Sequence, residues 1–200
     1  MKLFVICLVF ALPLVVAGCG SDESVADGAA GSVSTPGAAD IPQGDWWEWA
    51  ASEPEGTNPV VDDSGKDCDR NQNYDHWFLA GTFGGEATRS CTVPRGQDLV
   101  MPVLNHWSEE REDCDDFMRE ATSSATFDGE PIEVDQVPAR EIEFEAAEGN
   151  PVVEGSGGVK AYGCGHWVRI DAPASGEHTL TVSAEAGEFA LRVTYELTVE

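Results

Sequence analysis

Hydrophobic and polar positions alternate most clearly at the end of the chain. Phe189, Leu191, Val193, Tyr195, Leu197 and Val199 recur at strict period two, and five of the six residues interleaved with them are polar. That period places the apolar set on one face of a β-strand, which must pack on a core. Residues 77–105, WFLAGTFGGEATRSCTVPRGQDLVMPVLN, read as three consecutive antiparallel strands. In the first, Trp77, Leu79, Gly81 and Phe83 share one face while Phe78, Ala80 and Thr82 make the other nearly as apolar, as expected under a covering layer. Gly84-Gly85 supplies the positive φ angles of a tight hairpin. The return strand sets Ala87, Arg89, Cys91 and Val93 against Glu86, Thr88, Ser90 and Thr92. Leu99 to Leu104 follows as an apolar run, and Pro102 within it cannot donate a ladder hydrogen bond, so that strand is an edge or carries a bulge.

Further along, Cys114, Phe117, Met118 and Ala121 recur at i, i+3, i+4 and i+7, which predicts one short amphipathic helix over about 113–121. Asp128-Gly129 is a hairpin signal between residues 125–127 and 132–134. Ile142 and Phe144 alternate with Glu141, Glu143 and Glu145 in a half-exposed acidic strand; residues 149–158 read as loop. Strands are expected over 166–170 and 179–184, with a turn at 173–176. The expected fold is therefore all-β: an antiparallel β-sandwich, jelly-roll-like, with one short helix.

The N-terminus changes the picture from a bare domain to an exported one. Met1-Lys2 precedes an almost unbroken apolar stretch over residues 3–17 that is too short to span a bilayer comfortably. It ends in Val16-Ala17-Gly18-Cys19, which resembles a bacterial lipobox; the resemblance implies cleavage before Cys19 and lipidation of its sulfur, anchoring the protein to a membrane. A secretory signal cut after Ala17 or Gly18 is the alternative. Residues 19–44, rich in Gly, Ala, Ser, Asp and Pro, lack the apolar surface needed to repay ordering and are expected to form a disordered tether. The globular domain is then expected over 45–200, a length that suits a single core.

Cys68, Cys91, Cys114 and Cys164 remain in that domain. Four cysteines allow three pairings. Cys68–Cys91 and Cys114–Cys164 are the favoured pairs, each contributing about 3–4 kcal/mol in the chain-entropy model. A zinc site is disfavoured because no CxxC pair is present and export implies an oxidising compartment.

Charge is extreme: 37 Asp plus Glu against 11 Lys plus Arg give a formal net charge of −26, which makes nucleic acid and anionic membrane surfaces poor partners. Within residues 62–75, Asp67, Asp69, Asn71, Asn73 and Asp75 alternate, with Asp62 and Asp63 upstream. Oxygen ligands at alternate loop positions suit calcium, but Gln72 and Phe78 stand where an EF-hand needs glycine and glutamate. A non-EF calcium loop and a polar, disulfide-tied loop both remain open. Trp46, Trp47 and Trp49 form a cluster in which Trp47 and Trp49 share one face of an extended segment, or Trp46 and Trp49 share a helical one. Exposed, Trp46 and Trp49 would stack on sugar rings; with no loop signal inside the cluster, core packing is the favoured reading. His76, His106 and His166 each precede a tryptophan, so on strands with buried indoles the imidazoles are expected to face outward.

The phrases WxWAxSxPxxxNPxxDxxGxxC, WFLAGTFGG, RxCxVPxGxxxxxPVLN and GxHTLxVxxxxGxFxxxVTYxLTV, together covering residues 47–199, resemble a recurrent module of secreted and lipoprotein-type bacterial proteins. The family is uncharacterised. The resemblance implies an extracytoplasmic β-sandwich and carries no catalytic assignment.

No GxSxG, HExxH, SxxK, phosphate loop or dinucleotide fingerprint is present. The leading expectation is a lipid-anchored cell-envelope binding or adhesion module, with calcium as a candidate support at the acidic loop and carbohydrate or another surface polymer as partner. Its rivals are an envelope hydrolase built from scattered carboxylates and histidines, and a purely structural envelope lipoprotein.

Overall fold

A computed structural model describes residues 41–200; the expected signal segment, Cys19 and the expected tether up to residue 40 lie outside the described residues. Nine strands form two sheets with two short α-helices. One sheet has the order β1 (His76–Phe78), β3 (Asp98–Ser108), β7 (Gly157–Ile170), β6 (Asp135–Ala146). The other runs β2 (Gly85–Val93), β9 (Phe189–Val199), β8 (Gly176–Ala186), β4 (Thr122–Phe127), β5 (Glu130–Ile132). The sandwich is the architecture that the alternating patterns predict.

Both sheets are mixed, and the three-stranded meander expected over residues 77–105 does not form. β1 pairs with β3 in parallel, and β2 crosses to the other sheet to pair with β9 in parallel. Gly84-Gly85 is therefore a crossover between sheets, both residues at positive φ, and not a hairpin turn. The cause lies in the two apolar faces of residues 77–80. Trp77 and Leu79 enter the core between the sheets, while Phe78 and Ala80 enter a second core beneath α1 (Gln43–Ala50). The segment is buried on both sides by layers, so it needs no second strand partner.

That second core corrects the tether boundary. Ile41 and Gln43 are buried and α1 begins at Gln43, because the helix carries Trp46, Trp47 and Trp49 onto the outer face of the β1–β3–β7–β6 sheet. Trp46 meets Trp167 edge-on at 5.6 Å, Trp47 stacks on Phe144 at 6.2 Å, and Trp49 tilts against Phe78 at 5.8 Å. Indoles bury large apolar areas, so this helix seals one sheet face at little length.

The second helix, α2 (Arg111–Glu120), matches the predicted amphipathic stretch, with Cys114 fully buried and Phe117 and Met118 packed at its side. Ser108 Oγ donates to Asp113 and accepts from the Glu110 N–H, fixing the chain's entry into the helix. Asp128 and Gly129 both adopt positive φ and close the β4–β5 hairpin as expected. β7 is far longer than the predicted strand at 166–170, because Gly163 and Gly165 argue against a strand in sequence while the fold demands them. A Cβ on Gly165 would stand 2.4 Å from the Leu104 carbonyl oxygen, and one on Gly163 would meet Ile142 at 2.9 Å. The neighbouring strand is irregular at the same place: the β3–β7 register shifts between Pro102 and Leu104, the bulge that Pro102 announces.

Cys68 is bonded to Cys91 and Cys114 to Cys164, with Cα–Cα separations of 6.1 and 5.9 Å, the pairing favoured from sequence. Two buried disulfides place the domain in an oxidising, extracytoplasmic environment.

One charged side chain is buried without a carboxylate. Arg89, 1% exposed, donates to the carbonyls of Ala80, Gly81 and Val60 and to the Tyr195 hydroxyl at 2.7–3.0 Å. Tyr195 in turn donates to the Ala80 carbonyl and accepts the Ala80 N–H. This network ties the crossover segment to the centre of the second sheet.

Gly65 offers a test of how tightly the acidic loop seats on β2. It lies at φ +85°, and an added Cβ would fall 2.2 Å from the Ser90 carbonyl oxygen, whereas Gly56 has open space around its Cβ position. Gly65→Ala should lower stability by about 2–4 kcal/mol through left-handed strain and backbone collision, and Gly56→Ala should change it little, both read from denaturant melts.

Candidate functional site

The acidic residues singled out as calcium ligands are not gathered in a group of three among the described residues. Asp62 is buried, and its carboxylate accepts from the Ser64 N–H, the Ser64 hydroxyl and the Asp67 N–H at 2.7–2.9 Å. Burial works against its ionisation, but those bonds and nearby Lys66 hold its pKa below the ordinary value. Asp67 is engaged by Lys66 Nζ at 2.6 Å and Arg70 Nε at 3.2 Å. Asn71, at positive φ, donates to Ser52 and Glu53. Asp63, Asp69, Asn73 and Asp75 are exposed around the loop. Among the described residues no three His, Cys, Asp or Glu side chains gather as a metal site. Alternation implies convergence only in a loop that curls around an ion; here Asp62 is spent on the loop backbone, Asp67 on Lys66 and Arg70, and the others face solvent.

The loop instead covers a strand edge. Ser64 accepts the Ser90 N–H from β2 at 2.9 Å, and the Cys68–Cys91 bridge pins the loop there. A bare edge is a template for association with another chain, and a disulfide-tied loop closes it.

Trp46 and Trp49 take the core packing favoured from sequence, which removes them as sugar-stacking residues. They are 3% and 1% exposed, and their indole N–H groups donate to the carbonyls of Leu79 at 3.0 Å and Arg70 at 2.8 Å. Their ring faces are spent on the core.

The three His-Trp pairs do not behave alike. His166 is 2% exposed, because β7 has both faces covered; its Nδ1 pairs with Ser123 Oγ at 2.8 Å and its Nε2 has no partner. Burial lowers its pKa. His106 lies against Phe117 at 5.0 Å, and burial lowers its pKa despite Asp113 nearby. The outward orientation expected of these imidazoles holds only for strands with one solvent face, and β7 is not one. His178, outside that pattern, behaves oppositely. It bonds Asp128 Oδ2 and the Ala174 carbonyl at 2.8 Å each, and the Asp128 bond raises its pKa.

The best-formed concavity is elsewhere, beside β3. A cleft of about 210 Å³ is walled by the β3 segment from Pro102 to Trp107 and by the crossover residues Gly81, Thr82 and Phe83. Trp46 and Trp47 close it from the outer face of the sheet, and Phe189 and Leu191 of β9 from the inner side. None of its lining residues is Asp, Glu, Lys or Arg. In a chain of net charge −26, that patch stands apart. Phe83, 58% exposed, is the one large hydrophobic side chain lying open among the described residues, and it stands in this cleft. His106 in the wall is held toward its neutral form at pH 7. The buried cation of Arg89 lies directly behind the wall, bonded to the Gly81 and Val60 carbonyls. The lining offers no nucleophile–base pair and no two carboxylates for hydrolysis. It can hold an apolar or aromatic group.

Sequence reasoning missed this cleft. Phe83 carries the only signal: it continues the period of Trp77 and Leu79 into residues that leave the sheet.

No protein-family model matches the chain, and no curated protein matches it. Among solved structures, the solution structure of amebosin is similar at 15% identity and a TM-score of 0.25, covering 57% of this chain and 96% of its own. The M1 domain from titin is similar at 10% identity and a TM-score of 0.25, covering 58% of this chain and 92% of its own. A family 123 glycoside hydrolase from Clostridium perfringens, solved for its glycolipid glycan hydrolysis, aligns at 13% identity and a TM-score of 0.22 over 68% of this chain. The chain spans about a quarter of that hydrolase, 26%. Likenesses this weak carry no functional argument.

Two measurements check the site chemistry. The melting temperature of the domain should be the same in calcium and in EDTA at matched ionic strength. Asp62→Ala should cost about 1–3 kcal/mol in both, since it strips three hydrogen bonds from a buried loop. In an NMR titration, His166 should charge below the ordinary 6.5 and His178 above it. The signs differ accordingly. His178 contributes stability that is complete below 6.5 and fades as pH rises through its raised value. His166 withdraws stability as pH falls below 6.5, because the unfolded chain then binds a proton that the folded one refuses.

Proposed function

We propose that this chain is a lipid-anchored module of the bacterial cell envelope that binds an extended surface polymer through the cleft beside β3. The observation that carries the reading is the composition of that cleft: aromatic, uncharged and open, on a protein that is acidic elsewhere. A surface kept soluble by charge retains an apolar concavity with an exposed phenylalanine where something else covers it. The Ala17-Gly18-Cys19 sequence and the polar stretch that follows support the anchor, and the disulfides agree with export. Lipid chains at Cys19 would hold the domain at a membrane, with the stretch over residues 20–40 giving the cleft reach toward its polymer.

The test has two arms. Metabolic palmitate labelling and membrane fractionation should place the native chain in the membrane, with Cys19→Ser unlabelled and soluble. That soluble variant, added to washed envelopes of the producing cells, should bind saturably. Adding Phe83→Asp, which puts a carboxylate into the uncharged cleft at an exposed position, should abolish the binding while leaving the melting temperature intact. Binding indifferent to Phe83→Asp would move the site elsewhere and sink this reading.

A further inference from the structure

The cleft has a shape that its lining composition alone does not convey: it lies in the plane of a sheet. β1 pairs only with Asp98, Leu99 and Val100 of β3, and the Leu79 N–H adds one more bond to the Val100 carbonyl. Gly81 still runs close to β3, its Cβ position 3.8 Å from the Pro102 carbonyl oxygen, before the Arg89 network turns the chain toward the other sheet. Beyond Pro102, β3 continues to Ser108 with β7 on one side and, among the described residues, no strand on the other. The cleft occupies that vacated lane, since it is walled by residues from both faces of the sheet, Trp46 outside and Leu191 inside. The other long edges are treated differently: β2 carries the loop pinned by Cys68–Cys91, and β6 lies under α1 and its following turn, where the Ala147 N–H bonds the Ala51 carbonyl.

We propose that the vacant lane is filled by an extended polypeptide segment of a partner protein, added as a strand along residues 105–107, where β3 is half-buried, with one large apolar side chain seated in the cleft. The inference rests on the binding-module reading and names the class of polymer. Strand addition joins main-chain hydrogen bonds to an edge with a pocket for alternate side chains, and beyond the buried Val103 and Leu104 the strand has β7 on one side and the cleft beside it. Charge sets the partner's flanks. The lane is uncharged while the surrounding surface carries the bulk of 37 carboxylates, so the segment is apolar and neutral at its centre and basic on either side. A second copy of this chain is a poor occupant for the same reason, since two bodies of net charge −26 repel.

The experiment uses the mature chain carrying Cys19→Ser and a synthetic peptide, Lys-Thr-Val-Thr-Phe-Thr-Val-Lys, with its alternately N-methylated analogue and a chitin hexasaccharide as controls. Saturable peptide binding should slow exchange of those amides within residues 105–107 that point away from β7 by about tenfold or more, and N-methylation or Phe83→Asp should each weaken it about tenfold. A change in fluorescence from Trp107 alone, without amide protection, would not meet that expectation and counts against strand addition. So does equal binding of the N-methylated peptide, or none at millimolar concentration. Binding of the hexasaccharide in the cleft with the β3 amides untouched overturns the polypeptide assignment while leaving the binding-module reading standing. Sedimentation showing a dimer with the same amides of residues 105–107 protected in the absence of peptide assigns the lane to a second copy and overturns the proposal as well.

Discussion

The guanidinium of Arg89 decides where this chain leaves one sheet and enters the other. Taking a cation out of water is expensive, and here its hydrogen bonds go to carbonyls and a hydroxyl instead of a carboxylate. It is stabilised only because the Ala80, Gly81 and Val60 carbonyls and the Tyr195 hydroxyl converge on it. Those acceptors come from the crossover, the N-terminal loop and the middle of β9, three segments far apart in sequence. None can shift without stranding the charge, so the crossover is fixed at Gly81 and β1 is cut short. The parallel pairing of β2 with β9 and the open lane beside β3 both follow from that termination.

A sandwich made of mixed sheets has edges to manage, and this one manages them with different devices. The acidic loop over β2 uses Asp62 to organise its turn and the Cys68–Cys91 bridge to stay in place. At β6 a tryptophan-bearing helix lies across the outer face. The short β5 carries Pro131, which has no N–H to offer. Beside β3 the lane is lined with aromatic side chains and left uncapped by any strand of the described chain.

Much of this was legible from the order of residues, and the part that was not has a common cause. The period-two run ending at Val199, the Asp128-Gly129 turn, the heptad-like spacing about Cys114 and the two disulfides all rest on local rules, and each appears in the structure. The errors concern partners. Gly84-Gly85 has hairpin chemistry, yet its flanking strands belong to different sheets. Gly163 and Gly165 look like loop residues, yet they are where the β3 backbone and Ile142 come too close for a Cβ. The alternating acids over residues 62–75 have the composition of an ion loop, but a carboxylate's target is set by the fold around it. The cleft, assembled from six separate stretches of chain, left only Phe83 as a trace.

The Cys68–Cys91 bridge joins the loop to the strand whose edge it covers, so one sheet edge of this domain is closed by a bond that a reductant can open. With the thiols reduced, hydrogen bonds such as that from the Ser90 N–H to the Ser64 carbonyl would be left to hold the loop against β2. The cover of that edge is therefore only as durable as the oxidising surroundings that keep the bridge intact.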